Sequence, residues 1–239
     1  MTLDYLHKLS FPKEQPCIIT VTGSGGKSTI LEEIAHYLLK QNHKVLMTTT
    51  TQIWIPSLSQ AVTILDLLNY PSFLLKEAQI IYSGSSVTES HKLNGYTPTD
   101  IHLLQSRNQF DYLLIEGDGS KGKPLKAHAH YEPVIPDNSH IHMAVMGLQA
   151  LGLPVNQNNV HRLDLFCQIT GKNDGDLIEA LDFIHLCQSP HGYFKNHHNN
   201  QLLILNRLSP KNKQAAHYIK QTVLKTCSHI KDVLFREEI

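Results

Sequence analysis

The sequence predicts an α/β fold in which a mainly parallel sheet is flanked by helices. Short apolar runs rich in β-branched residues recur along the chain, as at 17–21 and 112–115, and they indicate buried strands. Helical patterns lie between these runs, an alternation typical of parallel sheets. The length of 239 residues suits one domain, which we place at 1–239 with a short N-terminal extension at 1–16.

The first predicted unit is a strand, a glycine-rich loop, a helix and a second strand. The helical pattern places residues 30, 31, 34, 35, 38 and 39 on one face, and Asn42 is a suitable stop. The second strand, at 45–47, leads into four threonines at 48–51. A unit of this size implies a parallel strand pair with a right-handed crossover.

The middle of the chain has weaker signals. We predict a helix from Pro56 to Tyr70 that ends at Pro71, then a short strand at 80–82 and a polar region from 83 to 95.

A clearer helix start follows at Thr97. Thr97 can cap the helix, Pro98 suits its first turn, and Asp100 favours its dipole. Residues 121–136 form a proline-punctuated loop that we expect to be too polar for a core element. The other predicted elements are strands at 112–115, 141–146, 202–205 and 233–235 and helices at 163–169, 177–186 and 214–224.

Composition excludes several classes of protein. The formal net charge is zero, which gives no support for nucleic-acid binding. No apolar run approaches the length that crosses a membrane, and the N-terminus lacks the apolar segment of a signal peptide. We therefore expect a cytoplasmic protein that binds neither nucleic acid nor membrane.

Cysteines and histidines do not predict a metal centre. The four cysteines are far apart and indicate reduced thiols rather than a zinc site. The sixteen histidines are numerous, but many stand in polar stretches and are expected at the surface. These residues include Cys17, Cys167, Cys187, Cys227, His91, His140, His142, His197 and His198.

The glycine-rich loop has the composition of a phosphate-binding site. Glycines let the backbone curl so that N–H groups converge, and the following helix adds its N-terminal N–H groups and dipole. Lys27 supplies a charge for the β- and γ-phosphates, and the Ser28 hydroxyl can bind Mg²⁺. Val21 stands where the longer form of this motif has glycine, so the loop is short. The candidate nucleotide-binding residues here are Gly23, Ser24, Gly25, Gly26, Lys27, Ser28 and Thr29.

Two carboxylates follow the strand at 112–115. Glu116 lies at the carboxyl end of that strand, where parallel sheets bind ligands, and it is a candidate for holding Mg²⁺ directly or through water. Asp118 lies two residues on, and with Lys27 and Glu116 it forms the predicted catalytic set. An ordinary polar turn is the alternative.

Two polar segments are candidates for contacting substrate or acting as a switch. Lys121, Lys123 and Lys126 could neutralise a γ-phosphate or a phosphorylated substrate, and solvated lysines are the alternative. Hydroxyls of Thr50 and Thr51 could order a segment around the metal. Strand propensity alone accounts for Thr48 and less well for Thr51.

Taken together, these motifs resemble the YqeC family, regarded as accessory proteins of selenium-dependent, molybdenum-containing hydroxylases. The resemblance implies a P-loop NTPase-like fold and a role in maturing such a hydroxylase, with that enzyme or its cofactor-synthesis proteins as partners. It also supports Lys27, Ser28, Glu116, Asp118, Lys121, Lys126, Glu132, His161 and Arg162 as site residues. The motifs are V-T-G-S-G-G-K-S-T at 21–29, T-T-T-T at 48–51, I-E-G-D-G-S-K-G-K-P-L-K at 115–126, E-P-V-I-P at 132–136, V-M-G-L-Q-A-L-G at 145–152, V-H-R at 160–162 and L-N-R at 205–207.

Asn206 is the candidate contact to the base. Related proteins often carry N-K-x-D or N-Q-x-D at this strand, where the aspartate pairs with guanine. Here the run is Asn206-Arg207-Leu208-Ser209, which lacks that carboxylate and favours ATP slightly over GTP.

Three functions remain open from the sequence. The first is an Mg²⁺-dependent hydrolase of ATP or GTP that serves as an accessory factor. The second is an ATP-dependent ligase or kinase acting on a small acid. The third is a nucleotide sensor that binds without turnover.

Overall fold

The computed structural model of the chain describes residues 4–7, 16–54, 61–69, 77–89, 92–195 and 200–237. The strands are β1 (Cys17–Gly23), β2 (Val45–Thr49), β3 (Gln52–Trp54), β4 (Ala61–Leu65), β5 (Ile80–Gly84), β6 (Ser86–Val87), β7 (Lys92–Asn94), β8 (Tyr112–Glu116), β9 (Leu125–Lys126), β10 (Ile141–Gly147), β11 (Val160–His161), β12 (Gln201–Leu208) and β13 (Ile230–Glu237). The helices are α1 (Asp4–His7), α2 (Lys27–Lys40), α3 (Pro98–Ser106), α4 (Leu163–Thr170), α5 (Ala180–Gln188) and α6 (Lys213–Thr226).

Eight strands form the central sheet in the order β13-β12-β10-β1-β8-β2-β5-β4. Every neighbouring pair in it runs parallel. The predicted α/β class with a mainly parallel sheet is therefore confirmed. The carboxyl ends of these strands share one edge, and the glycine loop (residues 23–29) lies there between β1 and α2.

The two faces of the sheet are covered by different helices. Ile19 of β1 packs in the core that contains Ile30 and Ile34 of α2, whereas its neighbour Ile18 packs with Ile101 of α3 on the other face. This follows from the period of two along a strand, and it explains why β1 is buried over its whole length.

Several local predictions are confirmed. Thr97 caps α3, because its Oγ1 accepts from Asp100 N at 3.2 Å and the Asp100 carboxylate accepts from Thr97 N at 2.9 Å. The helix α2 ends at Lys40, and Asn42 follows with a positive φ of 66°. Short polar side chains tolerate this left-handed backbone, so Asn42 ends the helix as expected.

The helix predicted from Pro56 to Tyr70 is wrong at residues 61–65, whereas Leu67–Asn69 form one turn of 3-10 helix. Residues Ala61–Leu65 form β4, which pairs with β5 from Ala61↔Ile80 to Leu65↔Gly84. This run contains Val62, Thr63 and Ile64, whose β-branching favours a strand once an edge is available for pairing. Residues 55–60, Tyr70 and the predicted break at Pro71 lie outside the described residues.

The helix predicted at 177–186 begins three residues later than expected. The helix α5 starts at Ala180, because Glu179 and Asp182 form a capping box before it. Within the predicted polar region at 83–95, β6 and β7 add to β3 as a small antiparallel sheet in the order β3-β7-β6.

The expectation that residues 121–136 are too polar for the core is also wrong. Within this segment β9 pairs with β11, and Leu125, Lys126 and Ala127 have no exposed surface. A lysine tolerates such burial when carboxylates surround its ammonium, as they do here.

The other sequence expectations concern metals, disulfides and membranes. In the described part of the chain, no group of three or more His, Cys, Asp or Glu is arranged for a metal ion, while His91, His197 and His198 lie outside it. None of the four cysteines forms a disulfide. Among the described helices, none has the length and apolar character needed to cross a bilayer.

Candidate functional site

A cavity of about 740 Å³ opens at the carboxyl ends of the central strands. The glycine loop forms its floor with Gly25, Gly26, Lys27, Ser28 and Thr29. Its walls come from the ends of β2 and β8, the turn after Glu116 and the small antiparallel sheet. The volume is within the range of small-molecule sites.

The glycine loop depends on the absence of side chains. Gly23, Gly25 and Gly26 have φ values of 93°, 80° and 126°, which L-residues rarely adopt. A Cβ on Gly25 would come within 2.6 Å of Gly147 Cα. The first helical hydrogen bond runs from Ile30 N to Gly26 O, so the backbone N–H groups of the first turn of α2 have no intrahelical acceptor. Such a helix start suits an anion.

Lys27 lies at the centre of the site and is almost fully buried. Its ammonium donates to Gly23 O at 2.8 Å and lies 3.5 Å from Glu116 Oε1 and 3.4 Å from Asp118 Oδ1. Burial by itself would lower the pKa of Lys27, but the two carboxylates outweigh burial and leave this pKa raised. The side chain therefore carries a full positive charge at neutral pH.

Two oxygen-bearing side chains lie together beside Lys27, and a third residue with a hydroxyl group lines the same cavity. The Ser28 hydroxyl donates to Glu116 Oε2 at 2.9 Å, and Glu116 is only 7% exposed. Thr48 is also among the residues that line the cavity, and its buried hydroxyl oxygen has no hydrogen-bond partner among the described residues. Hydroxyl and carboxylate oxygens are the donors that Mg²⁺ prefers, so this set fits that cation.

Thr48 is a residue that the sequence reasoning missed. Its position directly after the strand predicted at 45–47 was a signal in the sequence. In the structure Thr48 pairs with Ile115, one residue before Glu116. Strand propensity accounted for it equally well, so its place in the cavity lining could be found only from the structure.

Thr50 and Thr51, which were the predicted switch residues, do not line the cavity. Thr50 Oγ1 donates to Val134 O at 2.8 Å, and Thr51 O accepts from Gly95 N at 2.7 Å. They fasten the turn that links β2 to the small antiparallel sheet.

Asp118 is fully buried and does not reach the cavity. Its two carboxylate oxygens accept from Gly23 N at 3.0 and 2.9 Å, and its Oδ2 also receives Lys126 Nζ at 2.9 Å and His128 Nε2 at 2.5 Å. Burial alone would raise the pKa of Asp118, but Lys27, Lys126 and His128 hold it well below the usual range. Asp118 is thus an ionised clamp on the start of the glycine loop.

His128 is a second residue that sequence reasoning missed. Burial lowers the pKa of its imidazole despite the bond to Asp118, so the ring is neutral and its Nε2–H donates to that carboxylate. A histidine in a proline-rich segment gives no sequence signal for such a position.

Behind Asp118, the ion pairs continue away from the cavity. Lys126 Nζ donates to Glu132 Oε2 at 3.2 Å, and Arg162 binds the same carboxylate with Nε at 2.9 Å and Nη2 at 2.7 Å. We call Lys27, Asp118, Lys126, Glu132 and Arg162 the ion-pair chain. Only Lys27 of these five lines the cavity.

His161 lies beside the ion-pair chain. Burial and the charges of Lys126 and Arg162 lower its pKa to about 4, so it is neutral at physiological pH. It also does not line the cavity.

The remaining two predicted lysines, Lys121 and Lys123, lie in different places relative to the cavity. Lys121 is exposed and lines the cavity beside Gly122, whereas Lys123 Nζ donates to Val160 O at 3.3 Å and lies away from the cavity. Ser24 is buried, and its hydroxyl donates to Pro124 O at 3.1 Å, which anchors the glycine loop to this segment.

Asn206 supports the glycine loop from behind rather than facing the cavity. Its Nδ2 donates to Gly25 O at 2.5 Å, and its Oδ1 accepts from Arg236 Nη1 at 2.9 Å. Arg236 is in turn held by both carboxylate oxygens of Glu33 on α2. The neighbouring Arg207 does line the cavity, so the carboxyl end of β12 forms one side of it.

Comparison with known proteins finds relatives over most of the chain. The sequence profile described as YqeC protein matches residues 19–164. The YqeC protein of Escherichia coli (strain K12) is 37% identical over 185 residues, which cover 77% of this chain and 72% of that protein. Among solved structures, the MinC:MinD cell division protein complex of Aquifex aeolicus gives a TM-score of 0.49 at 13% identity, covering 93% of this chain and 82% of that one.

Proposed function

The chain belongs to the YqeC family, and we propose that it binds a nucleoside triphosphate with Mg²⁺ and hydrolyses it. The observation that carries this proposal is the meeting of three features in one cavity. The free N–H groups at the start of α2, the Lys27 ammonium and the Ser28–Glu116 pair all lie within it. Together they match the charge pattern of a polyphosphate bound to a divalent cation.

Each residue has a distinct part in the proposed reaction. The N–H groups of residues 25–29 hold the phosphates, and Lys27 exchanges its bond to Gly23 O for a phosphate oxygen. Ser28, Thr48 and Glu116 would hold the cation, which supplies charge neutralisation on the phosphates when bound. The Glu116 carboxylate also orients the attacking water.

We assign Asp118 a positioning role in place of direct catalysis. It has no exposed surface, and both of its oxygens are used on Gly23 N. Its effect on turnover therefore passes through the shape of the glycine loop. Lys126, Glu132, His161 and Arg162 support Asp118 from the far side, so we propose no direct substrate contact for them.

We propose ATP as the preferred nucleotide. Both polar atoms of the Asn206 amide are engaged, by Gly25 O on one side and by Arg236 and Arg207 N on the other. The strand end at 206–209 also lacks a carboxylate for the guanine donors.

The cellular role is a proposal that rests on family membership. We propose that the protein is a cytoplasmic accessory factor for a molybdenum-containing, selenium-dependent hydroxylase and that nucleotide turnover gates its interaction with that enzyme. We also propose that residues 1–239 form one domain, because the chain length suits a single α/β domain and the central strands belong to one sheet. A kinase or ligase acting on a small anion is the second candidate function, because the cavity continues beyond Glu116 to Trp54 and Lys92.

A thermal-shift panel tests the nucleotide proposal. ATP, GTP, CTP and their diphosphates are compared with and without Mg²⁺. A ligand present at 100 times its Kd stabilises the folded state by about 2.7 kcal/mol, which shifts the melting temperature measurably. We expect Mg·ATP to give the largest shift. The absence of any shift with every triphosphate would contradict the proposal.

Phosphate release then separates the candidate functions. Slow release from Mg·ATP alone supports a hydrolase, and release or transfer only after a small acid is added supports a kinase or ligase. Tight binding without turnover under either condition supports a nucleotide sensor.

A further inference from the structure

The cavity has a second end that the proposed triphosphate site does not use. Trp54 of β3 and Lys92 of β7 line it, on the small antiparallel sheet. Trp54 is the only tryptophan of the chain, and 66% of its surface is exposed. Because this ring lies on the wall of a cavity and beside a lysine, it can stack on a planar ligand group while the ammonium pairs with an anion.

Trp54 and Lys92 are held as a pair. They face each other across the antiparallel register of β3 and β7, and Lys92 Nζ lies 4.8 Å from the centroid of the Trp54 ring. Two positions along, on the same face of this sheet, the pair Gln52 and Asn94 is joined by a side-chain hydrogen bond of 2.8 Å. The aromatic surface and the positive charge are therefore presented together.

The small antiparallel sheet is also fixed relative to the triphosphate site. Tyr96 N donates to Thr49 O at 2.9 Å, and Gly95 N donates to Thr51 O at 2.7 Å. These bonds tie the end of β7 to the end of β2, which carries Thr48. Trp54 and Lys92 thus have a defined position beside the oxygen donors for the cation.

Strand order shows on which side of the triphosphate this pair lies. Arg207 of β12 lines one side of the cavity and Thr48 of β2 the other, four strand spacings apart. At about 4.8 Å per spacing this separates the two by roughly 19 Å. The glycine loop and Glu116 lie between them, so Trp54 lies beyond the cation site, on the side away from Arg207.

We propose that Trp54 and Lys92 form a second ligand subsite that takes a planar aromatic anion next to the terminal phosphate of the bound triphosphate. The Trp54 ring stacks on the planar ring of the ligand, and the Lys92 ammonium pairs with its phosphate or carboxylate. Lys121, which is exposed on the cavity wall, adds a second positive charge. The placement of this subsite rests on the proposed triphosphate binding, but the subsite itself consists of different residues.

The single tryptophan gives a direct readout. In a ¹⁵N-labelled sample of the full chain, the indole N–H of Trp54 gives one side-chain signal that no other residue can produce. The protein is saturated with Mg²⁺ and AMP-PNP, a non-hydrolysable ATP analogue, and titrated with phenyl phosphate. Cyclohexyl phosphate has the charge without the aromatic ring, and phenol has the ring without the charge.

We expect phenyl phosphate to move the indole signal saturably and both comparison compounds to act much more weakly. Lys92→Gln should weaken the binding of phenyl phosphate about fivefold, which corresponds to the loss of one cation–π contact or exposed ion pair. Trp54→Ala, followed by calorimetry, should abolish binding. Tyr218→Ala removes an exposed aromatic residue of α6 that does not line the cavity, and it should leave the affinity unchanged.

Two results would overturn the proposal. One is an equal response to phenyl and cyclohexyl phosphate, and the other is competition between AMP-PNP and phenyl phosphate, which would place Trp54 in the nucleotide site. If AMP-PNP does not bind at all while phenyl phosphate still binds with the expected preference, the proposed nucleotide function fails and the aromatic subsite stands.

Discussion

At the scale of single residues, the site is a balance of opposite charges that a ligand must rearrange. Lys27 is enclosed by Gly23 O, Glu116 and Asp118, so a bound phosphate competes with these partners for its ammonium. Glu116 is likewise bonded to Ser28 and would exchange that hydrogen bond for the proposed cation. The groups that the proposed triphosphate would use are therefore bonded to one another in the structure.

Lys27→Ala should remove most of the affinity for ATP. The variant loses the one cation on the cavity floor formed by residues 25–29 that can reach the β- and γ-phosphates. A charge-assisted bond to phosphate contributes about 1.5–3 kcal/mol, so we expect a loss of roughly 10- to 100-fold in Kd, measured by calorimetry. Lys123→Ala, which removes a lysine outside the cavity, is the control. If Lys27→Ala binds ATP and GTP with the same affinities as wild type does, this assignment is refuted.

Glu116→Gln should spare binding but abolish Mg²⁺-dependent turnover. The amide retains the volume of the side chain but loses the charge that holds the cation and orients water. Phosphate release with saturating ATP is the measurement. Glu32→Gln alters another carboxylate of the cavity wall and should retain activity. Normal turnover in Glu116→Gln would exclude its role at the metal.

Thr48→Val tests the unpartnered hydroxyl. The two side chains have nearly the same shape, and removing a buried hydroxyl that lacks a partner should leave the free energy of unfolding unchanged or slightly higher. We expect turnover to require a higher Mg²⁺ concentration, because one oxygen donor is lost. An unchanged Mg²⁺ dependence in titrations of ATPase rate would show that Thr48 does not contact the cation.

At the scale of structural elements, the glycine loop is held from two sides. Asp118 binds Gly23 N at its start, and Asn206 binds Gly25 O from β12. Asn206 is itself placed by Arg236 of β13, which also clasps Glu33 of α2. Two strands far apart in sequence thus fix the loop, and the helix that follows it is tied to the last strand.

Asp118→Asn should destabilise the protein at neutral pH by about 3 kcal/mol, because Lys126 and Lys27 lose the buried carboxylate that they share and keep only Glu132 and Glu116 as counter-charges. Urea denaturation measures this loss. Asp232→Asn, at a partly exposed ion pair with Lys220, is the control and should cost less than about 1 kcal/mol.

The same variant should change how the free energy of unfolding decreases at acid pH. Asp118 has a depressed pKa in the folded protein, so its contribution is present above the unfolded value of about 3.9 and is lost as pH falls towards the lower folded value. Wild type should therefore lose stability steeply below about pH 5, and Asp118→Asn should lose less over that interval. If the stability of wild type and of Asp118→Asn fell equally with pH over this interval, Asp118 would not be an ionised group in the folded protein.

At the scale of the whole molecule, the ion-pair chain connects the cavity to a surface on the other side of Asp118. It runs from Lys27 through Asp118, Lys126 and Glu132 to the half-exposed Arg162. When Lys27 turns to a phosphate, the remaining charges of the chain adjust, so nucleotide binding should be sensed by the segment around residue 162.

Hydrogen exchange tests this connection. Mg·ATP should slow exchange in peptides covering 23–31 and also in those covering 125–134, although no residue of 125–134 lines the cavity. Helix α6 should not change. In Asp118→Asn the protection at 23–31 should persist while that at 125–134 is lost. Protection confined to 23–31 in wild type would show that the ion-pair chain does not respond to ligand.

The sequence by itself determined the features that depend on local pattern. Apolar β-branched runs separated by helical periods specified the parallel sheet, and three glycines before Lys27 and Ser28 specified the curled loop, because only glycine tolerates φ values such as 126° at Gly26. The capping residues of α3 could also be predicted from the sequence, because Thr97 and Asp100 interact across one turn.

Only the tertiary structure decided what depends on residues far apart in the chain. Ala61–Leu65 became a strand because the edge of β5 was available to pair with it. Lys126, His128 and Glu132 entered the interior because Asp118 and Arg162 neutralise or bond them there. Thr48 gained its place on the cavity wall from the strand order of the central sheet, and Trp54 from the bonds that tie the small antiparallel sheet to the end of β2. Burial and charge pairing are properties of the folded chain, so no local pattern could separate Asp118, a buried clamp, from Glu116, which faces the cavity.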